Sequence, residues 1–147
     1  MYDNKITISK AGGVIFNEDM SKLLIVHQMS KGIPAKWGCP KGHRKNNETF
    51  YHCAFREMYE ELGIKIRTNH TDPKIKVGNT VYFPYIIKDI NPELIPVDKT
   101  EICEVKFVCP NSITDWDKNY ELKKIVDNID IFKSSAIKSY IIKKQVQ

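Results

Sequence analysis

Glu57, Glu60 and Glu61 stand three and four positions apart in the chain. On a helix, at about 100° per residue, they would share a ~100° arc of one face. Three like charges that close repel one another and weaken an isolated helix. A hard divalent cation such as Mg²⁺ or Mn²⁺ removes the conflict, because it takes oxygen ligands and neutralises them. A solvated acidic face is the alternative reading. The three residues alone do not separate the two; their flanks do.

The elements that must hold these carboxylates can be read from the chain around them. Thr49 is a suitable N-cap for a helix running to Leu62, and Gly63 suits the left-handed position that ends it. Ala54, Phe55, Met58 and Leu62 recur at helical spacing and are expected to face a core. Ahead of the helix, Gly32, Pro34, Gly38, Pro40 and Gly42 predict an irregular segment over residues 29–47. That segment holds Lys31, Lys36, Lys41, Arg44 and Lys45 and no acid between them, a composition expected of a functional loop.

Strands are expected at Ile6–Ile8, Gly12–Phe16 and Lys22–His27, the last two joined as a hairpin through Asn17–Met20. The pair Gly12-Gly13 would permit a bend or a close backbone approach. Further strands are expected at Ile64–Ile66, at Asn79–Ile87, which Pro84 places near an edge, and at Ile102–Val108. In the last, Ile102, Glu104, Lys106 and Val108 are expected to oppose Cys103, Val105 and Phe107. From about Asp115 to Lys144 the period is helical. Strands around one central helix with a helical C-terminus predict an α/β or α+β sandwich, as one domain over residues 1–147.

Read outward from the carboxylates, the chain gives Gly42, five residues, Glu48, seven residues, Arg56-Glu57-Met58, one residue, Glu60-Glu61, one residue, Gly63-Ile64. This resembles the Nudix box position for position, with nine specified positions over 23 residues, 42–64. The resemblance implies an αβα sandwich with a mixed sheet, and hydrolysis of a nucleoside diphosphate linked to another group, with Mg²⁺ or Mn²⁺. By position it implies metal binding by Glu57, Glu60 and Glu61, with the main-chain carbonyl of Lys41 as a further ligand. Gly42 and Gly63 become structural positions, and Glu48 and Arg56 a salt bridge bracing loop and helix. In this family the base that takes a proton from water often comes from outside the box. Glu101 and Glu104 are the candidates, with Glu101 preferred because similar enzymes place an acid a few residues before the strand aromatic, which is Phe107 in this chain.

The surrounding text resembles the Nudix enzymes that decap mRNA. Trp37-Gly-Cys-Pro-Lys-Gly42 matches their lead-in, and Cys53-Ala-Phe-Arg-Glu57 their helix. Dinucleoside polyphosphate hydrolases are the rival, through Pro40-Lys-Gly-His43, although their usual Glu-Pro-Gly-Glu loop is absent. Free nucleotides or diphosphoinositol polyphosphates come third. A Nudix-fold RNA-binding module without catalysis is the reading from another class, and three clustered carboxylates argue against it. Lys31, Trp37 and Tyr82 are weaker candidates for substrate contact, Trp37 by stacking on a base and Tyr82 by lining a base pocket. His43 and His52 have no ligand-like spacing and are expected to face solvent or to be structural.

Composition bounds the rest. At 147 residues, 41% apolar and 28% charged, the chain is expected to be a globular domain rather than a disordered one. No apolar run approaches the ~18 residues of a membrane helix, and the first residues lack a secretory pattern, so a cytoplasmic protein without a membrane partner is expected. Cys39, Cys53, Cys103 and Cys109 have neither zinc-ligand nor disulfide-framework spacing and read as free thiols. Net charge is +5, and it is unevenly spread: +5 over residues 1–47, −3 over 48–104 and +3 over 105–147. An acidic block between basic flanks fits a cation site beside a phosphate-attracting surface. The basic stretch from Lys133 to the C-terminus could follow an RNA backbone, or simply be an amphipathic terminal helix.

Overall fold

In the computed structural model of the chain, the described residues are 7–30, 33–88, 94–97 and 102–145. The elements run β1 (Lys10–Phe16), β2 (Leu23–Ser30), β3 (Ile33–Gly38), β4 (Lys41–His43), α1 (Phe50–Leu62), β5 (Ile75–Val77), β6 (Thr80–Ile86) and β7 (Ile102–Val108). A 3-10 turn at Pro110–Ile113 then leads to α2 (Tyr120–Asp127) and α3 (Ile129–Gln145). The sheet is mixed. Its order is β3-β2-β1-β6-β5, with β4 also on β1 and β7 also on β2, and β1 runs parallel to β6 while the other pairs are antiparallel.

β1 is buried on both faces, which explains its nearly unbroken apolar run. Ala11 and Ile15 enter one core with Leu24, Val26, Met58 and Leu62 under α1. Val14 and Phe16 enter the other with Ile25, Leu122, Ile125 and Phe132 under α2 and α3. The result is helix, sheet, helix. β1 and β2 pair at Phe16 and Leu23 next to their hairpin, after which β2 continues along β7 and β1 along β4 and β6. The two halves of the sheet thus diverge, and the mouth of that divergence is where the site forms.

α1 follows its sequence signals. The Thr49 side chain accepts from the His52 N–H, and Gly63 ends the helix at φ 78°, its N–H donating to the Tyr59 carbonyl. A Cβ at Gly63 would also strike the Ile95 carbonyl, so both conformation and space require glycine there. The buried face is Cys53, Ala54, Met58 and Leu62, with Glu57 and Glu61 beside them. Ala54, Met58 and Leu62 are buried as expected, whereas Phe55 is only half-buried and belongs to neither core; Cys53 takes its place on the buried face.

Several expectations are corrected. Residues 33–38 and 41–43 are strands, despite their glycines and prolines. β3 is held from both sides: Val26, His27 and Gln28 pair with it, and on the other edge Trp37 donates to the Asp117 carbonyl and accepts from the Asn119 N–H. Ile64–Ile66 is not a strand; the short strand β5 forms later, at Ile75–Val77, against Thr80–Tyr82. Ile8 lies in irregular chain just before β1, and Ile6 falls outside the described residues. Pro84 lies beyond the reach of β5, so its missing N–H costs no ladder bond on that side. In β7 a register shift sets His27 opposite Glu104 and Gln28 opposite Ile102, leaving Cys103 as the extra residue. That bulge turns Ile102 onto the same core as Val105 and Phe107, against simple alternation. The C-terminal helical stretch begins at Tyr120, capped by the Asn119 side chain, and breaks at Asn128.

Candidate active site

Helix α1, strand β4 and the loop between them bring the box together. Arg56 is the hub. Its Nε donates to Glu48 Oε2 at 2.7 Å and its Nη2 to Glu48 Oε1 at 2.8 Å, a two-pronged pair. Nη2 also donates to the His43 carbonyl at 3.0 Å, tying β4 to the helix. Nη1 donates to Glu57 Oε1 at 2.7 Å and reaches Glu60 at 3.3 and 3.4 Å. Gly42 sits directly against Glu57, where a Cβ would overlap the carboxylate, so only glycine lets β4 approach this closely.

Arg56 holds the Glu48 carboxyl down to about 2, with a further main-chain bond from Lys45 assisting against burial. Stability gained this way is complete above the ordinary carboxylate value of 4.5 and is lost as pH falls through about 2. Glu48→Gln is therefore expected to cost about 2 kcal/mol at neutral pH and to flatten the acid limb of a urea-unfolding series. An unchanged acid limb would show that the pair contributes nothing.

Glu57 and Glu61 form a buried carboxyl pair. Burial raises Glu61 well above its usual range, and the charge of Glu57 beside it pushes the same way; Lys41 opposes both too weakly to prevail. Burial also raises Glu57, against hydrogen bonds from Glu61 and Arg56. Of the two, Glu61 is the more strongly raised, being the more deeply buried. Glu61 Oε1 is enclosed and has no hydrogen-bond partner, a costly arrangement for a carboxyl oxygen. An all-oxygen donor set with one unmatched atom fits a hard cation. Among the described residues, no three acidic, histidine or cysteine side chains already converge on one point. Glu60 is turned toward Arg56 and would have to leave it to join the pair.

These carboxylates face a cavity of about 670 Å³ at the mouth between β1 and β2, within the usual size of a small-ligand site. Lys10, Lys36, Lys41, Arg44 and Lys45 line it with Arg56. Cations facing a floor of acids suit a phosphate chain that needs a metal beneath it. Lys10 is held below its ordinary range by burial and by the neighbouring Lys41. Sequence reading missed Lys10, Gln28, Ile102 and Asn119 in this lining. A lone lysine ahead of a strand carries no signal, and the diverging strands that bring β1, β2 and β7 together are not visible along the chain.

Other candidates lie elsewhere. Tyr82 is fully buried, and its hydroxyl donates to Glu121 Oε1 at 2.6 Å, where Thr80 also bonds. It lies in the core under α2 and lines no base pocket; strand parity turned it inward, because Val81 and Phe83 take the α1 side. Tyr82→Phe should cost on the order of 1–3 kcal/mol in urea unfolding, since a buried Glu121 loses a donor, with kcat unchanged. A fall in kcat without a loss of stability would return Tyr82 to the site. Trp37 is on β3 rather than in a loop and does not line the cavity: His27 stacks on it at 4.5 Å and Trp116 lies 5.0 Å away. Glu104 pairs with Lys106 at 2.9 Å and is about half exposed, outside the cavity lining. Glu101 and Lys31 fall outside the described residues, although Ile102, next to Glu101, lines the cavity. His43 and His52 are exposed, and Cys39, Cys53 and Cys109 are free thiols. Among the described residues no helix is long and apolar enough to cross a membrane.

Comparison with known proteins identifies the family and the fold. The m7GpppN-mRNA hydrolase of Saccharomyces cerevisiae (strain ATCC 204508 / S288c) is 34% identical over 68 residues, 46% of this chain. This chain spans 7% of that relative's length. A Caenorhabditis elegans Ap4A hydrolase structure (C. elegans, binary complex) superposes with a TM-score of 0.66 at 19% identity, covering 85% of this chain and 98% of the other. MutT from Methanosarcina mazei Go1 gives 0.63 at 17% identity, covering 88% and 96%. At those identities the structural match is one of fold, and the fold is the mixed-sheet sandwich described above. The NUDIX domain model matches residues 7–129. The chain belongs to the NUDIX domain family.

Proposed function

We propose that the chain is a hydrolase of phosphoric anhydride bonds that uses Mg²⁺ or Mn²⁺, held by Glu57 and Glu61 with Glu60 and the Lys41 main-chain carbonyl completing the set, to cleave the 5′ cap of RNA. The observation that carries this is the buried Glu57–Glu61 pair, with its unpartnered oxygen, beneath a cation-lined cavity. A divalent cation bound there would neutralise charge on the pyrophosphate and lower the pKa of the attacking water. The chain's own residues do the remaining work. Arg56 fixes Glu57 against β4, Lys10, Lys36 and Lys41 draw in the phosphates, and Glu101, beside the cavity-lining Ile102, takes the proton from water. The products would be a nucleoside diphosphate and 5′-monophosphate RNA.

The cap assignment is supported by the lead-in Trp37–Gly42, by Cys53–Glu57, and by the partial similarity to a yeast cap hydrolase. Dinucleoside polyphosphate hydrolysis is the second reading, favoured by Pro40–His43 and by the shared fold with an Ap4A hydrolase. Product identification with capped RNAs of rising length, diadenosine tetraphosphate and free nucleotides separates them. Cap cleavage should improve with RNA length and fall steeply with salt. Equal efficiency and equal salt response on short and long substrates would transfer the assignment to dinucleoside polyphosphates.

A further inference from the structure

A second cavity, of about 590 Å³, opens beside the first, and Arg44 lines both. None of the box carboxylates reaches it. Its wall is the half-buried rings of Phe50 and Tyr51, from the first turn of α1, and the buried Phe83 of β6 closes its floor. Its rim is cationic. The Arg44 guanidinium sits 4.9 Å over the Phe50 ring, the Lys74 ammonium 5.7 Å over Phe83, and Lys76 stands on β5 nearby. Among the described residues no acidic side chain lines it.

We propose that this cavity binds a nucleotide unit of the substrate, its base against the aromatic wall and its phosphate on the Lys74–Lys76 rim. The aromatic faces would accept any base by stacking, since every base has a π-face. Apolar walls alone would take any oily ligand; a rim with cations and no acid selects a ring that carries negative charge. Because Arg44 borders both cavities, a pyrophosphate above Glu57 and Glu61 can pass its next nucleotide past Arg44 into this one. The placement of the pyrophosphate rests on the proposed function, whereas the nucleotide chemistry of the cavity rests on its own lining.

The test is a metal-free NMR titration of the full chain with a nucleoside 5′-monophosphate, the matching nucleoside, inorganic phosphate and a short 5′-phosphorylated oligoribonucleotide. The monophosphate should shift the resonances of Ile8 and Val81 in this cavity and bind at least ~10-fold more tightly than the nucleoside or phosphate. Lys74→Glu should weaken that binding by a similar factor, and Phe50→Leu, which keeps the wall apolar, should remove most of the preference for an aromatic ligand. Tighter binding of the oligoribonucleotide identifies the unit as part of an RNA chain; equal binding identifies a free nucleotide or the second half of a dinucleotide. Shifts confined to Lys41 and Gly42, equal affinity for nucleoside and nucleotide, or an unaltered Lys74→Glu protein would each overturn the inference. Turnover of capped or dinucleotide substrates with a silent second cavity defeats this inference alone. Binding at Ile8 and Val81 without turnover of any substrate defeats the proposed function alone.

Discussion

Glu61→Gln should lower kcat by at least ~10²-fold while making the metal-free protein more stable, the opposite signs marking a residue kept for chemistry. Glu61 is buried beside Glu57 with an oxygen that finds no partner. Its carboxyl is raised in the folded state, so its stabilising share is complete below the ordinary 4.5 and is lost as pH climbs through the raised value. Near neutrality the metal-free parent therefore bears two acids in a space that tolerates one charge. The amide keeps the shape, removes the charge and can donate to Glu57, so the variant should unfold at higher urea and lose the parent's decline in stability as pH rises above 4.5. Steady-state kinetics and urea unfolding without metal check both halves. Parental activity in the variant would remove Glu61 from the site.

The second large effect concerns the proton. Glu101→Gln should reduce kcat by ~10²- to 10⁴-fold with little change in KM, the range for losing a general base. Glu104→Gln should stay within a few-fold of the parent, because Glu104 pairs with Lys106 and stands outside the cavity lining. The bulge at Cys103 puts Ile102 at the cavity while the Glu104–Lys106 pair lies with Trp37 and Trp116. Loss of activity from the Glu104 change alone would reverse the assignment. Parental rates for both variants would move the base onto α1.

What the chain disclosed in advance was what depends on local spacing. Thr49, the buried stripe to Leu62 and the left-handed Gly63 are each set by neighbours within a few residues, and so is the clustering of the three glutamates. The Glu48–Arg56 pair was implied by resemblance rather than by spacing, since its members are joined only once the loop folds back. What stayed hidden depends on distant partners. β3 is a strand because Asp117 and Asn119, some eighty residues on, take the outer hydrogen bonds of Trp37. Tyr82 is a core residue because Glu121 waits for its hydroxyl. Lys10 reaches the cavity only because β1 leaves β2 after Phe16 and Leu23. The bulge in β7 likewise answers to β2, and strict alternation could not reveal it.

Whether Glu57 and Glu61 hold a divalent cation is addressed directly by calorimetric titration of the metal-free protein with Mn²⁺. Run at mildly acidic pH in buffers of different ionisation enthalpy, it also counts protons released, because a carboxyl that binds metal must give up its proton. Saturable Mn²⁺ binding by Glu57 and Glu61 is expected to release a proton from the pair and to weaken at least ~10-fold in Glu61→Gln, the scale on which lost ligands are felt. Equal Mn²⁺ affinity and equal proton release in parent and variant would contradict it.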